Sequence, residues 1–319
     1  METVYHIPAM LEETLAGLNI QADGTYVDVT LGGGGHSRAI LAKLGKKGRL
    51  FSMDQDLDAY RHWIDEAAEP LDERWQFVHG NFRYLSNFMD YYGVNETDGL
   101  LADLGVSFHH FDEAERGFSF RFAGPLDMRM NQTGGRTAAD IINTYPEEEL
   151  ARVLYLYGEL KNSRQLAKKI VAARPILRTE ELVSALVKLP QASEIQHQDG
   201  DILDIPVKAK GELTLVFQAL RMEVNDELGA LREMLIAAKS LLKPGGRIAI
   251  LTYHSLEDRI VKNFLRSGNL DGEIEKDFYG NILSPFKVIE KGRMASAAEV
   301  ERNPRSRSAK LRVAEKIDR

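Results

Sequence analysis

Short apolar runs alternate with segments of helical spacing over the first 105 residues. The apolar runs are rich in β-branched, aromatic or leucine residues and lie at 25–30, 49–53, 75–79 and 99–104, which predicts four strands. Between them, segments 37–44 and 58–66 carry apolar residues at helical spacing and predict helices. Strands that alternate with helices are typical of a parallel sheet covered on both faces.

Helix signals replace this pattern between 112 and 211. A proline followed by three glutamates predicts a helix over 146–160, because proline suits the first turn and acids favour its positive end. Thr179 is predicted to cap another helix over 182–189. The polar, irregular stretch 191–204 predicts an exposed loop. We therefore expect a mainly helical insertion here.

The strand pattern then resumes. Residues 217–242 predict one long amphipathic helix that ends at a Lys-Pro-Gly-Gly turn. Residues 247–253 predict a fifth strand, and 286–290 with 309–314 a closing hairpin.

The expected fold class is α/β, with one doubly wound sheet formed by two segments of the chain. We expect a first part at 1–111, a helical insertion at 112–211 that recognises RNA, and a second part at 212–319 with a basic C-terminal segment.

Composition removes several classes of site. The chain has 319 residues and no cysteine, which excludes disulfides, thiolate zinc sites, iron–sulfur clusters and thiol nucleophiles. Apolar stretches such as 248–251 are too short to cross a bilayer, and the N-terminal residues lack a basic region followed by an apolar core. We expect a cytoplasmic protein with no membrane partner. Histidine and acid spacing predicts no metal site, and the oligomeric state is not predicted.

Charge is unevenly distributed. The net charge is −7, but residues 302–316 hold six lysines and arginines against one glutamate, so this segment carries +5 and the rest −12. A polyanionic partner would therefore meet local basic patches and not a uniformly basic surface.

The turn after the first predicted strand is the strongest ligand signal. Glycines 32–35 join a strand to a helix, where the backbone can approach a ligand and helix amides are available as donors. The spacing from Asp28 places glycines at 32 and 34 and Ser37 at the third glycine position of a dinucleotide motif, which favours S-adenosylmethionine over a dinucleotide. Asp54, at the end of the second strand, is placed to accept ribose hydroxyls of either cofactor, or is a surface carboxylate.

Two further polar runs follow predicted strands. Asp103 ends the fourth strand, and ligands of open α/β sheets bind at the carboxyl ends of the strands. His254 and the acids that follow it come after the fifth strand. A helix start with Ser255 as cap would explain these acids but not His254.

Seven ordered segments of the chain resemble one enzyme family. They read TLGGGGHS at 30–37, DLGVS at 103–107, ERGFSF at 115–120, GPLDMRM at 124–130, FQALRMEVNDEL at 217–228, PGGRIAILTYHSLEDRIVK at 244–262 and NPRSRSAKLRVAE at 303–315. In these segments the chain resembles the MraW/RsmH family of ribosomal RNA small-subunit (16S) cytosine-N(4) methyltransferases. The resemblance covers nearly the whole chain.

The resemblance implies S-adenosylmethionine as methyl donor and a Rossmann-like methyltransferase sheet with an inserted helical domain. It also implies, as acceptor, a cytidine in the decoding region of 16S rRNA, either as free RNA or in the small ribosomal subunit. The cofactor contacts of the family fall on Gly34, Gly35, His36, Asp54, Phe82, Asp103 and His110.

Some of these positions carry a second interpretation. The ring of Phe82 suits packing on adenine, and it equally suits a core position. His110 stands where the family has a glutamine, and residues 211–216 lack the usual family sequence. The RNA-facing part of the insertion is therefore expected to differ.

Methyl transfer to an exocyclic amine requires alignment and an acceptor for the amine hydrogens, because the lone pair is delocalised into the ring. Asp103 is the first candidate for that acceptor, and His254 is a second catalytic candidate. Methylation at ring carbon 5 generally uses a cysteine nucleophile, which this chain lacks.

Two other functions remain open at this point. One is a nicotinamide-dependent oxidoreductase, which the glycine spacing disfavours. The other is an rRNA-binding assembly factor that keeps the fold without turnover.

The basic segment has its own alternatives. Arg305 and Arg307 lie in a Pro- and Ser-containing loop and are expected to contact RNA phosphates. The competing interpretation is a solvated loop before an edge strand at 309–314, with Lys310 and Arg312 on the solvated face to prevent aggregation.

Overall fold

The computed structural model describes residues 8–64, 72–106, 111–187 and 205–318. The chain divides into two compact units, the first formed by 1–105 with 228–319 and the second by 106–227. The expected boundaries at 112 and 211 are therefore wrong at both ends of the insertion. The second boundary moves because Leu213, Val216 and Leu220 are buried in the hydrophobic core of the insertion.

The first unit contains a seven-stranded sheet of order β3-β2-β1-β4-β5-β7-β6. In chain order the strands are β1 (Thr25–Asp28), β2 (Arg49–Asp54), β3 (Trp75–His79), β4 (Thr97–Asp103), β5 (Leu242–Thr252), β6 (Phe286–Met294) and β7 (Lys310–Lys316). Strands β1 to β5 are parallel, and β7 runs antiparallel between β5 and β6. The expected parallel strands and the closing hairpin are confirmed.

The described helices of eight or fewer residues outnumber the long ones. In chain order the helices are α1 (Leu11–Leu18), α2 (Gly35–Leu41), α3 (Leu57–Ile64), α4 (Leu85–Tyr91), α5 (Ala138–Thr144), α6 (Glu147–Gly158), α7 (Ser163–Ala172), α8 (Thr179–Leu186), α9 (Val207–Asn225), α10 (Glu227–Leu241), α11 (Ser255–Ser267) and α12 (Ala297–Arg302). None of the helices in the described ranges is long and apolar enough to cross a membrane.

Both faces of the sheet are covered, as the continuous apolar strands predict. Neighbouring residues of one strand enter different cores: Val27 packs in a cluster with residues of α4, α10 and α11. Tyr26 packs in another, with residues of α1, α2 and α3. This division into two cores confirms the doubly wound α/β sheet.

Strand β7 corrects the edge-strand interpretation of the basic segment. It lies inside the sheet, and β6 forms the edge. Arg312 is buried and its Nε lies 2.7 Å from Asp258 Oδ1 of α11, while Lys310 Nζ lies 3.1 Å from Asp258 Oδ2. The alternating sequence was compatible with an inner strand because α11 supplies the opposite charge.

The expected single helix over 217–242 is two helices, α9 and α10. Asp226 interrupts it with a left-handed backbone (φ 45°). The side chain of Asn225 accepts a hydrogen bond from Met130 N and donates one to the Met128 carbonyl, both at 2.8 Å. Aspartate tolerates the left-handed region better than most residues, so the chain turns here without a glycine.

The insertion is mainly helical in its described part, with a core built from α5 to α9. The helix expected after Pro146 is confirmed as α6. Thr179 is the first residue of α8 and not its cap. Its hydroxyl donates to the Phe122 carbonyl at 2.7 Å and accepts from Gly124 N at 3.0 Å. The loop expected at 191–204 lies outside the described residues.

Candidate active site

The buried carboxylate of Asp28 accepts hydrogen bonds from both ends of the glycine turn. Asp28 ends β1 and is fully buried. It accepts hydrogen bonds from the Ser37 hydroxyl at 2.6 Å and from Thr30 N at 3.1 Å, and so ties the turn to the first residues of α2. Burial raises the pKa of Asp28 above its ordinary value, although these two bonds favour the charged form.

The glycines of the turn have different surroundings. A Cβ on Gly34 would lie 2.4 Å from the ring of Trp63, and one on Gly35 would lie 2.8 Å from Pro8. Gly34 also has a left-handed backbone (φ 70°), so both the contact with Trp63 and the backbone conformation disfavour a side chain there. A Cβ on Gly32 would meet nothing within 4 Å, which makes this the open part of the turn.

Asp54 connects the turn to the end of β2. Its Oδ2 accepts from Gly32 N at 2.8 Å and its Oδ1 accepts from Asp56 N at 2.9 Å. The carboxylate is only partly buried. Each oxygen carries more than one lone pair, so these bonds leave Asp54 able to accept from a ribose hydroxyl.

Phe82 opens a short 3₁₀ helix after β3, where the Asn81 side chain accepts from Arg83 N at 3.0 Å. Its ring is partly exposed and packs against the core that contains Val27 and Phe51. One side of the Phe82 side chain thus packs against the core, and another side is accessible to solvent.

Asp103 joins three elements at the carboxyl edge of the sheet. Its backbone N donates to the Thr30 hydroxyl of the glycine turn at 2.7 Å. Its Oδ1 accepts from the Tyr253 hydroxyl at 2.7 Å, and its Oδ2 lies 3.6 Å from His36 Nδ1 of α2. Two predicted residues, His36 and Asp103, are therefore brought together.

The pKa values of Asp103, His36 and Tyr253 all depart from their ordinary values. Burial, with a smaller contribution from the nearby Glu257 charge, raises the pKa of Asp103 to about 7, while the Tyr253 hydrogen bond opposes the rise. Burial lowers the pKa of His36, against the effect of Asp28. Burial and the Asp103 charge also raise the pKa of Tyr253 well above its ordinary value, so the hydroxyl stays a donor.

Tyr253 is a candidate site residue that the sequence did not reveal. It follows β5 directly and looks like the end of an apolar strand. Only its position after the strand, at the edge where ligands bind, could have signalled a role.

His254 has a structural role that was not expected. It is the N-cap of α11, where its Nδ1 faces Glu257 N at 3.5 Å. Its Nε2 lies 3.0 Å from Glu257 Oε1, without the alignment of a hydrogen bond. The expected cap at Ser255 is therefore wrong. The presence of His254 at this position, which a Ser255 cap did not explain, is explained by its own role as the cap.

Arg305 and Arg307 lie in a 3₁₀ helix, Pro304–Ser308, and both are exposed. This helix leads directly into β7, whose Lys310 pairs with Thr252 at the last position of β5. The two arginines therefore lie near the same carboxyl edge as Asp103. His110 lies outside the described residues.

Comparison with known proteins decides the family. The model of the MraW methylase family matches residues 3–317. The chain belongs to the MraW methylase family. It is a methyltransferase that uses S-adenosylmethionine.

Named relatives cover the chain from end to end. A ribosomal RNA small subunit methyltransferase H of Parabacteroides distasonis is 55% identical over 99% of both chains. The protein of the same name from Bacteroides thetaiotaomicron is 54% identical over 99% of this chain and 98% of its own. A solved structure described as a putative rRNA methylase from Clostridium thermocellum covers 98% of this chain and 100% of its own, at 15% identity and a TM-score of 0.44.

Proposed function

We propose that this MraW family member methylates the exocyclic N4 amine of a specific cytidine in the decoding region of 16S rRNA, as free RNA or in the small ribosomal subunit. The observation that carries the proposal is the position of the Asp103 carboxylate, held by Tyr253 at the carboxyl edge beside the glycine turn. The names of the relatives, which act on small-subunit ribosomal RNA, support the class of substrate.

The residues of this edge fit S-adenosylmethionine. Asp54 would hold the ribose hydroxyls, and Phe82 would pack on the adenine. Gly32, on the open side of the turn, and the tightly packed Gly34, Gly35 and His36 would form the wall of the cofactor site. His110 belongs to the same proposed set. The cofactor supplies a methyl group on a positively charged sulfur.

The chain contributes alignment and hydrogen-bond acceptance. The amine of cytosine is a poor nucleophile, so its lone pair must be directed along the axis of displacement. Asp103 accepts an N–H of the amine and so stabilises the nitrogen as it becomes tetrahedral. We assign His254 an indirect contribution, since its cap orders the β5–α11 junction next to Tyr253.

Arg305 and Arg307 would bind RNA phosphates near this edge. Their charges are exposed, as phosphate contacts require, and they belong to a segment of charge +5 in a chain of net charge −7. The helical insertion is the second proposed RNA contact. Family membership favours methyl transfer over hydride transfer, so the nicotinamide alternative is not retained.

Labelled methyl transfer to small subunits tests the proposal. Subunits from cells that lack the protein should gain label, and mass spectrometry of the nucleosides should find it as N4-methylcytidine. Asp103→Ala should lose far more turnover than cofactor affinity, since the role of Asp103 arises in the transition state. Asp90→Ala, an exposed acid of α4, is the matched control.

Two results would refute the proposal. One is label on carbon 5 or on a ribose, which would reject N4 methylation. The other is binding to subunits with no label, which would favour a non-catalytic assembly factor.

A further inference from the structure

The ring of His36 is held in one orientation by two contacts. Its Nε2 lies 3.1 Å from the carbonyl oxygen of Ala9. A carbonyl only accepts, so Nε2 carries a hydrogen and donates it. In the neutral ring, Nδ1 then has a lone pair, and this lone pair faces Asp103 Oδ2 at 3.6 Å.

An ionised Asp103 would place negative charge against that lone pair. A proton on Oδ2 removes the conflict, because the protonated carboxyl can donate towards Nδ1 while Oδ1 still accepts from Tyr253. His36 is buried and the Asp103 side chain is 16% exposed, so water screens this contact weakly.

The charged groups around the pair are mostly acidic. Asp28 of β1 acts on His36, Glu257 of α11 acts on Asp103, and Glu299 of α12 acts on Tyr253. The pair therefore lies in a negative field that favours uptake of one proton. The direction of the Asp103 pKa agrees with this geometry.

We propose that Asp103 and His36 hold one proton between them in the unliganded protein, and that this proton leaves when the positive sulfonium of S-adenosylmethionine binds. The reason is the Coulomb interaction: a nearby cation stabilises the ionised carboxylate, whereas the neutral sulfur of S-adenosylhomocysteine does not. The inference rests on the proposed position of the cofactor beside Asp103.

The same proton site closes the charge balance of the reaction. As the amine nitrogen bonds to the methyl carbon, the sulfur–carbon bond breaks and its electron pair stays on sulfur, which becomes neutral. The amine proton passes to the ionised Asp103. Asp103 is then neutral beside a neutral sulfur, as it was before the methyl donor bound. His36 and Tyr253 act as positioning residues.

Titration calorimetry of the full chain measures this linkage. Each ligand, S-adenosylmethionine or S-adenosylhomocysteine, is titrated in buffers of different ionisation enthalpy between pH 5.5 and 9. The methyl donor should release about half a proton more than the product at pH 7, since a group with a pKa near 7 is half protonated there. The difference should vanish at pH 9. Equal proton release by both ligands at every pH would overturn the proposal.

Variants separate the roles of the residues. Asp103→Asn should abolish the difference between the two ligands. His36→Gln keeps a donor for Ala9 but removes the ring nitrogen that faces Asp103, so the midpoint of proton release should shift to lower pH. Tyr253→Phe removes a bond that favours the charged carboxylate, so the midpoint should shift to higher pH. Asp90→Asn should change nothing.

The direction in which His36→Gln shifts the midpoint of proton release is decisive. A midpoint that stays unchanged or rises in His36→Gln would show that the ring nitrogen does not help to hold the proton, and the proposal would be wrong. The measurement does not depend on the acceptor: a failure to find N4-methylcytidine would refute the proposed function and leave this result standing. Loss of S-adenosylmethionine binding in Asp54→Ala tests the cofactor position separately.

Discussion

At the scale of single residues, the site holds a carboxyl group at a cost in stability. Asp103 is largely removed from water, and among its described contacts Tyr253 supplies the hydrogen bond that favours its charge. A carboxyl whose pKa is higher in the folded than in the unfolded chain binds more protons when folded. The free energy of unfolding therefore falls as the pH rises from about 4 to about 7.

Asp103→Asn should remove this penalty. Asparagine keeps an oxygen for the Tyr253 hydroxyl and carries no charge. The free energy of unfolding of the variant, relative to that of the parent protein, should increase as the pH rises. This relative value should be roughly 2 kcal/mol larger at pH 8 than at pH 5. Urea unfolding at the two pH values measures the difference. An equal effect at both would show that Asp103 has an ordinary pKa.

Asp54→Ala should weaken S-adenosylmethionine binding at least tenfold, because losing a hydrogen bond to a charged group costs roughly 1.5 to 3 kcal/mol. The same change also removes the partner of Gly32 N. Asp54→Asn, which retains an acceptor oxygen, should lose less affinity. Unchanged affinity of the alanine variant in calorimetry would remove Asp54 from the cofactor site.

At the scale of elements, the basic segment divides into residues paired within the fold and residues exposed at its surface. Lys310 and Arg312 of β7 are paired with Asp258. The pKa of Asp258 lies below its ordinary value: burial alone would raise it, and the bonds from Arg312 and Lys310 more than offset that effect. Arg305 and Arg307 precede the strand and are exposed.

The double change Arg305→Ala, Arg307→Ala should weaken RNA binding and flatten its salt dependence by roughly one to two units of log–log slope. Cofactor affinity and thermal stability should stay nearly unchanged. The matched control is Lys46→Ala, Lys47→Ala, which removes the same exposed charge before β2, at the opposite edge of the sheet. If both double variants reduce the salt dependence of RNA binding equally, the reduction comes from the loss of overall positive charge and not from a contact at the carboxyl edge of the sheet.

The sequence predicted elements well where a local pattern determined them. The runs that became β1 to β5 are apolar and bounded by turns, so the parallel sheet was predictable. The break at Asp226 was not, because the apolar spacing continues through it and the turn depends on Asn225 bonds to Met128 and Met130.

The site was predictable only in part for a similar reason. Asp54 and Asp103 are the last residues of β2 and β4, and that position marks them as ligand-facing. The roles of Tyr253 and His254 depend on side chains that meet across elements or within the first turn of α11, which no strand or helix pattern encodes. His36 drew attention through the glycine turn, but its pairing with Asp103 appears only in the fold.

At the scale of the whole molecule, the chain comprises a methyltransferase sheet and an insertion with its own core. The sheet unit contains the proposed cofactor residues that the structure describes, together with Asp103, Arg305 and Arg307. We therefore propose that the sheet unit carries out the chemistry. Recognition of the RNA beyond those arginines is left to the insertion, as proposed above.

Mass spectrometry of 16S rRNA from cells with and without the protein tests the central claim most directly. The decoding-region fragment from cells that contain it should carry N4-methylcytidine at one position, and the fragment from cells without it should be lighter by one methyl group there. Re-expression of the parent chain should restore the modification, and Asp103→Ala should not. An N4-methylcytidine content that is the same in both kinds of cell would contradict the account.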